Sequence, residues 1–297
     1  PLGNDAAFLR RSRYRAERTS LDVAHVEVFG IRLPEYLREG SFWVRRAEIT
    51  GLALDVMADK GKPSKPGRAR HRMPQDALRE LGLQLHADTV TITGRVQYRE
   101  RDAEAPKPGV LTFEGIRATV LNLSTDPRRM TDSTPMTLRV DSRLMGAGAL
   151  HLEAEIPLLA PKFTMAFRGS LGGMDAEAFN PLIVDATGVR FIRGHISSVR
   201  FNVTVRGGVA SGTVQPRWEG LGIEVPGVAR SQTNILGKLK RAVAKIAANA
   251  FLVRDDNPAK DKPALNGNIS HRWTPEETLP QFIWFSLRDA LVPLLKR

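Results

Sequence analysis

The chain has 297 residues, 42% of them hydrophobic, contains no cysteine and carries a net charge of +12. That apolar fraction supports a folded core and rules out a disordered chain, and the lack of cysteine removes disulfides, thiolate metal sites and cysteine nucleophiles. The basic balance calls for an anionic partner, but aromatics are only 6% and no nucleic-acid-binding motif is found, so nucleic acid is not the expected partner.

In chain order, residues 1–20 read as a basic arm or helix, dense in charge from Arg10 to Arg15. Strands then begin. Val23, Ala24, Val26 and Val28, followed by Ile31 and Leu33, predict a strand turning at Gly30. Val44, Ala47 and Ile49 give another, continued by Leu52, Leu54 and Val56 with the phase slipped at Gly51, as a β-bulge produces. Residues 59–72 are a Lys/Arg/Pro/Gly-rich loop, and a short helix is expected from Gln75 to Leu81 behind Pro74. Val90, Ile92, Val96 and Tyr98 alternate with polar residues, Gly94 filling the missing step. A charged hairpin loop, Arg99 to Pro108, leads to Leu111, Phe113, Ile116, Ala118 and Val120, with a second slip at Gly115. Asp126-Pro127 marks a turn.

Met136, Leu138, Val140 and Leu144, then Leu150, Leu152, Ala154 and Ile156, predict a hairpin about Gly146 to Gly148. Phe163, Met165 and Phe167 make the next strand, and Met174 to Val184 a short helix capped by Asp175. Strands return from Val189 to Val225 about a Gly207-Gly208 turn, with Val199, Phe201, Val203 and Val205 in strict alternation. A helix is expected over Ser231 to Val253: Ile235, Leu239, Val243, Ile246 and Ala250 share one face, which packs on the sheet or lies on a membrane surface. A polar linker to Asn268 precedes an apolar helix over 280–295, which should be buried.

Alternation of period two puts one set of side chains on each face of a strand. The fold class is therefore mainly β: a long curved antiparallel sheet forming a groove or half-barrel, with few short helices and helical C-terminal segments. Residues 21–228 form the sheet domain and 229–297 a helical segment packed on it or capping it.

Motifs for catalysis are missing. Gly146-Ala147-Gly148 lacks the third glycine of a dinucleotide fingerprint, and Gly208 to Gly212 has the wrong spacing for a serine elbow. The histidines, His25, His71, His86, His151, His195 and His271, form no local metal pair. Glu153 and Glu155 fall on one strand face about 7 Å apart, a spacing open to acid/base chemistry but more simply a solvated face. No catalytic residue, metal or cofactor is expected.

The segment Ala87 to Tyr98, followed by Gly109 to Ile116, resembles the strand pattern of bacterial AsmA-like envelope proteins. Phe167 to Leu171 leading to Met174-Asp175-Ala176, Phe201 to Trp218 leading to Leu221-Gly222-Ile223, and Phe282 to Leu287 fit the same pattern, so the resemblance covers residues 21–297. It implies a periplasmic protein tethered to the inner membrane by an N-terminal helix. This chain lacks that helix and reads as a soluble C-terminal fragment. The resemblance further implies an apolar β-groove that binds or transfers phospholipid between inner and outer membranes, with phospholipid, an anionic membrane surface and other envelope proteins as partners. Val90, Ile92, Val96, Tyr98, Leu138, Val140, Val199, Phe201, Val203 and Val205 would line the groove, or else form an ordinary core. An envelope scaffold without lipid transfer is the alternative function.

Overall fold

The structure is a computed structural model that describes residues 7, 10–11, 13–14, 16–59, 61–63, 73, 75–76, 80, 84–101, 107–131, 133–187, 189–224, 253–275 and 277–296. The helix expected over Ser231 to Val253 lies outside these residues but for Val253, as does most of the basic loop of 59–72.

One sheet of twelve strands dominates. In chain order the elements are β1 (Ala16–Asp22), β2 (His25–Phe29), α1 (Leu33–Glu39), β3 (Phe42–Asp59), β4 (Leu85–Arg101), β5 (Gly109–Ser124), β6 (Met136–Leu144) and β7 (Gly148–Ile156). Then follow β8 (Met165–Leu171), β9 (Met174–Asp175), a 3-10 turn (Ala176–Phe179), α2 (Asn180–Thr187), β10 (Arg190–Arg206), β11 (Val209–Glu224), β12 (Gly267–Arg272) and α3 (Leu279–Leu291), which ends in a 3-10 turn (Val292–Leu295). The spatial order is β1-β3-β4-β5-β6-β7-β8-β10-β11-β12, with β2 beside β3 and β9 beside β10. The sheet is not closed into a barrel, since its path ends at β1 and β12 without pairing them.

The glycine slips are real bulges. Gly51 adopts φ +69° and Gly115 φ +57°; register shifts fall between Ile49 and Leu52 on β3 and between Glu114 and Arg117 on β5. Glycine is needed there because left-handed backbone is costly with a Cβ. Each slip restores the apolar phase, so Leu52, Leu54 and Val56 return to the face of Ala47 and Ile49.

Four features differ from expectation. The sheet is mixed, because β3 and β4 run parallel, Val44 opposite Ala87 and Asp59 opposite Arg101; period two is the same for either direction, so alternation could not reveal it. Leu33 is not a strand residue but opens α1, with Pro34 in the first turn and Gly40 at φ +65° as a left-handed stop. Between the predicted linker, ending at Asn268, and α3 lies an unexpected strand, β12, paired with β11 from Val209↔Arg272 to Val214↔Gly267. At the start of the chain, Ala16–Asp22 of the predicted arm pairs with β3 as a strand.

The sheet is strongly curved. Seven strand spacings separate β4 from β12 along the ladder, roughly 34 Å if flat. Yet Gln281 of α3, a helix packed on β11 and β12, acts on the phenol of Tyr98 in β4. β4 and β12 therefore curl toward one another around α3.

Candidate functional site

All ten residues singled out by sequence share one face. Following the register, Val90 stands beside Val120 and Ile92 beside Ala118; Val120 stands beside Leu138, and Ala118 beside Val140. Leu138 faces Ala154 and Val140 faces Leu152, which lead to Phe167 and Gly169 of β8. Those in turn face Val203 and Phe201, with Val199 beside Leu171 and Val205 beside Met165. Beyond a second register shift, Val96 and Tyr98 pair with Phe113 and Leu111. An unbroken apolar surface thus crosses the sheet on its inner side. The other side carries Arg139, Asp141, His151, Glu153, Arg168 and Arg200.

The covering of that surface is uneven. α3 buries Phe282, Ser286 and Ala290 along one stripe. Phe282 meets Phe163 edge-on with ring centroids 5.2 Å apart and joins Val203, Val205, Val214, Ile269 and Phe167 in one core. Gly267 lets the helix come close, since a Cβ there would stand 2.4 Å from the Ala290 carbonyl oxygen. Phe201, Val203 and Val205 are therefore buried core, the second of the two outcomes expected for them, in a cluster that Phe282 of α3 shares with Met73, Met130, Leu158 and Phe163. Leu138 and Val199 pack at the margin of the same core. At another end, Leu182 of α2 lies over Gly109, with its carbonyl oxygen 2.6 Å from where a Cβ would be.

Beyond that core the covering thins. Val90 is buried in a smaller cluster with Val44 and Ala87, with Ile92 partly buried beside it; Val96, Val140 and Tyr98, which Gln281 of α3 reaches, are half-buried. On the edge strands the same face is bare: Val28 is 38% exposed, Val26 55% and Leu21 59%. Val26 and Val28 pair with Ile49 and Ala47, and Leu21 with Leu54, so these exposed side chains continue the strip. The expected lining thus divides into a closed half under α3 and an open wing over β1–β4. Sequence reasoning omitted Leu21, Val26 and Val28 from the lining, although their alternation was visible.

Titratable groups serve structure. The Tyr98 hydroxyl donates to Glu100 Oε2 at 2.6 Å; burial, then Glu100, push the phenol above its ordinary range, while Gln281 acts in the opposite sense. Glu153 accepts from Arg168 Nε at 2.8 Å and lies 3.3 Å from Arg139 Nε, and the Arg168 hydrogen bond holds its carboxyl below the usual range. That cross-strand clamp occupies the carboxylate weighed above for acid/base work. His151 reaches Asp141 at 2.8 Å and His195 reaches Asp175 at 2.9 Å, so Asp175 bonds a neighbouring strand instead of capping a helix. No group of three or more metal-ligating side chains occurs among the described residues. Among them, also, no helix is long and apolar enough to cross a membrane.

Two of the depressions lined by described residues stand out. One, of 460 Å³, lies at the Gly115 bulge, lined by Arg117, Asp141, Arg143, His151 and Ser170 among others. The other, of 280 Å³, lies at the start of β3 and β4, with Arg32, Trp43, Arg45, His86 and Asp88. Nothing in the sequence marks this second group, because Arg32, Trp43 and His86 converge only through strand pairing.

No protein family, no curated protein and no solved structure matches the chain.

Proposed function

We propose that the protein binds phospholipid by its acyl chains on the inner face of the curved sheet and transfers it between the inner and outer membranes of a bacterial envelope, without catalysing a reaction. The observation that supports this most is the open wing. An apolar strip continues from a sealed core to exposed edge residues, Val26 and Leu21 being more than half exposed. Exposed apolar surface of that kind is unfavourable in water, by about 25 cal/mol per Å², and it marks a binding surface when it is continuous. A periplasmic location and an anionic membrane surface as partner belong to the same proposal; the net charge of +12 supports the second.

Native mass spectrometry of protein purified without detergent tests the proposal. Phospholipid retained by the folded protein is expected, and its absence, together with failure to take up lipid from vesicles, would refute it. An envelope interaction module is the second reading, favoured by the β1–β2 edge. No strand lies beyond that edge among the described residues, and open edges accept a partner strand. A protein that takes up no lipid would leave this reading standing.

A further inference from the structure

The open wing ends in a cluster of arginines around one tryptophan. The Arg32 backbone N–H donates to the Trp43 carbonyl at 3.0 Å, and its guanidinium carbon lies 5.0 Å from the Trp43 ring centre. Arg129, from the turn after β5, brings a second guanidinium to within 4.4 Å of the same ring. Trp43 rests on the imidazole of His86, with ring centroids 4.7 Å apart. The contact of His86 Nε2 with Asp88 Oδ1 at 2.7 Å fixes that imidazole in turn. Arg45 follows on β3, and Arg32, Trp43, Arg45, His86 and Asp88 share the 280 Å³ depression.

The guanidinium groups of Arg32 and Arg129 meet at one ring, and Arg45 lines the same depression as Arg32; like charges this close repel one another, and nearby carboxylates offset them only in part. Glu35 reaches Arg32 at 3.8 Å, Asp88 is engaged by His86, and Asp126 by Arg128 at 3.0 Å. The cluster keeps a cationic excess. Arg32, Arg45 and Arg129 are all exposed, so their donors face solvent. The planar guanidinium fork fits two oxygens of a phosphate at once, and an aromatic face holds such a group in place through cation–π attraction.

Location specifies the ligand further. Val44, buried in one cluster with Ala87 and Val90, also lines the depression that holds Arg32 and Arg45. The apolar strip therefore ends beside the arginines. Gly30, at φ +67°, lets the chain leaving β2 pass this spot, since a Cβ there would stand 2.9 Å from Arg45 Cβ.

We propose that Arg32, Arg45 and Arg129, arranged around Trp43, bind a phosphate group, and that this phosphate is the headgroup of a lipid whose acyl chains lie on the adjoining strip. The assignment of the source rests on the lipid-binding reading above; the recognition of phosphate rests on the arginines alone. Calorimetric titration of the whole chain separates the two, using three probes: dihexanoyl phosphatidic acid, dihexanoylglycerol and inorganic phosphate. Phosphatidic acid should bind at least tenfold more tightly than the uncharged diacylglycerol. The double variant Arg32→Gln, Arg129→Gln should bring the two to equal affinity while leaving diacylglycerol binding unchanged. Arg45→Gln, a change at an exposed side chain, should lose part of the preference, which guards against a folding defect in the double variant. Equal affinity of both lipids in the wild-type protein would overturn the headgroup site and leave the apolar strip as a binding surface. Phosphate bound by the wild type but not by the double variant, with neither lipid bound, would overturn the lipid source while supporting the anion site. Binding of none of the three would overturn both.

Discussion

Replacing Phe282 with Ala tests the idea that α3 seals one half of the concavity. The ring is fully buried, meets Phe163 edge-on at 5.2 Å and His271 at 5.6 Å, and packs in the core that contains Val203 and Val205. Truncating a buried Phe costs about 3–5 kcal/mol, the transfer free energy plus the cavity left behind, and an aromatic pair adds about 0.5–1.5 kcal/mol. Trp284, two residues on, is 42% exposed and makes the control: its truncation should cost about 1 kcal/mol or less. For a chain of this size, a loss of about 4 kcal/mol lowers Tm by roughly 8 °C. Circular dichroism melts of Phe282→Ala and Trp284→Ala should therefore differ by several degrees. Equal melts, or the larger drop for Trp284→Ala, would refute the packing of α3 on the sheet.

Other expectations concern the sheet and its fastenings. Gly94→Ala places a Cβ 2.0 Å from the Leu52 carbonyl oxygen and should destabilise by more than about 2 kcal/mol, whereas Gly115→Ala meets nothing within 4 Å and should show only the left-handed backbone cost of about 1 kcal/mol; urea denaturation compares the two. Asn257 donates to the Pro216 carbonyl at 2.7 Å and accepts the Leu265 N–H at 2.7 Å while buried, so Asn257→Ala should cost about 2–3 kcal/mol and speed hydrogen exchange selectively in residues 253–266. Because the Tyr98 pKa is raised on folding, its stabilising contribution is full below the ordinary tyrosine range near pH 10 and is lost as pH rises beyond it; Tyr98→Phe should remove the latest step of the 295 nm absorbance titration.

Much of this fold was readable because its side chains obey period two over long stretches. Val199 to Val205 and Val90 to Tyr98 announced strands, and Gly51 and Gly115 announced bulges, because a phase slip at glycine has few other physical causes. What alternation could not carry was strand direction. The parallel β3–β4 pair looks the same from either direction, and neither the basic loop nor the short helix expected from Gln75 to Leu81 in its connection fixes the direction of the return. α1 was hidden by Ile31 and Leu33, which continue a strand rhythm, although Pro34 and Gly40 bracket a short helix. β12 was hidden because Ile269 is its one apolar residue on the inner face. The division of the apolar face into sealed and open halves depends on where α3 comes to rest, a long-range fact that the local pattern does not contain. The arginine cluster at Trp43 is likewise a product of pairing: Arg129 is distant in sequence, and only the curl of β3, β4 and β5 brings it to the ring.

The most direct test of the central claim, that lipid occupies the inner face of the open wing, uses the two faces of one strand. Val26 and Glu27 are neighbours on β2, and period two sends them to opposite sides. A photoreactive benzoylphenylalanine placed at each position in turn, irradiated in bacterial cells and analysed by intact-protein mass spectrometry, reports what touches each side. Phospholipid adducts at position 26 and none at position 27 are predicted. Equal labelling at both positions, or lipid adducts at position 27 alone, would contradict the account.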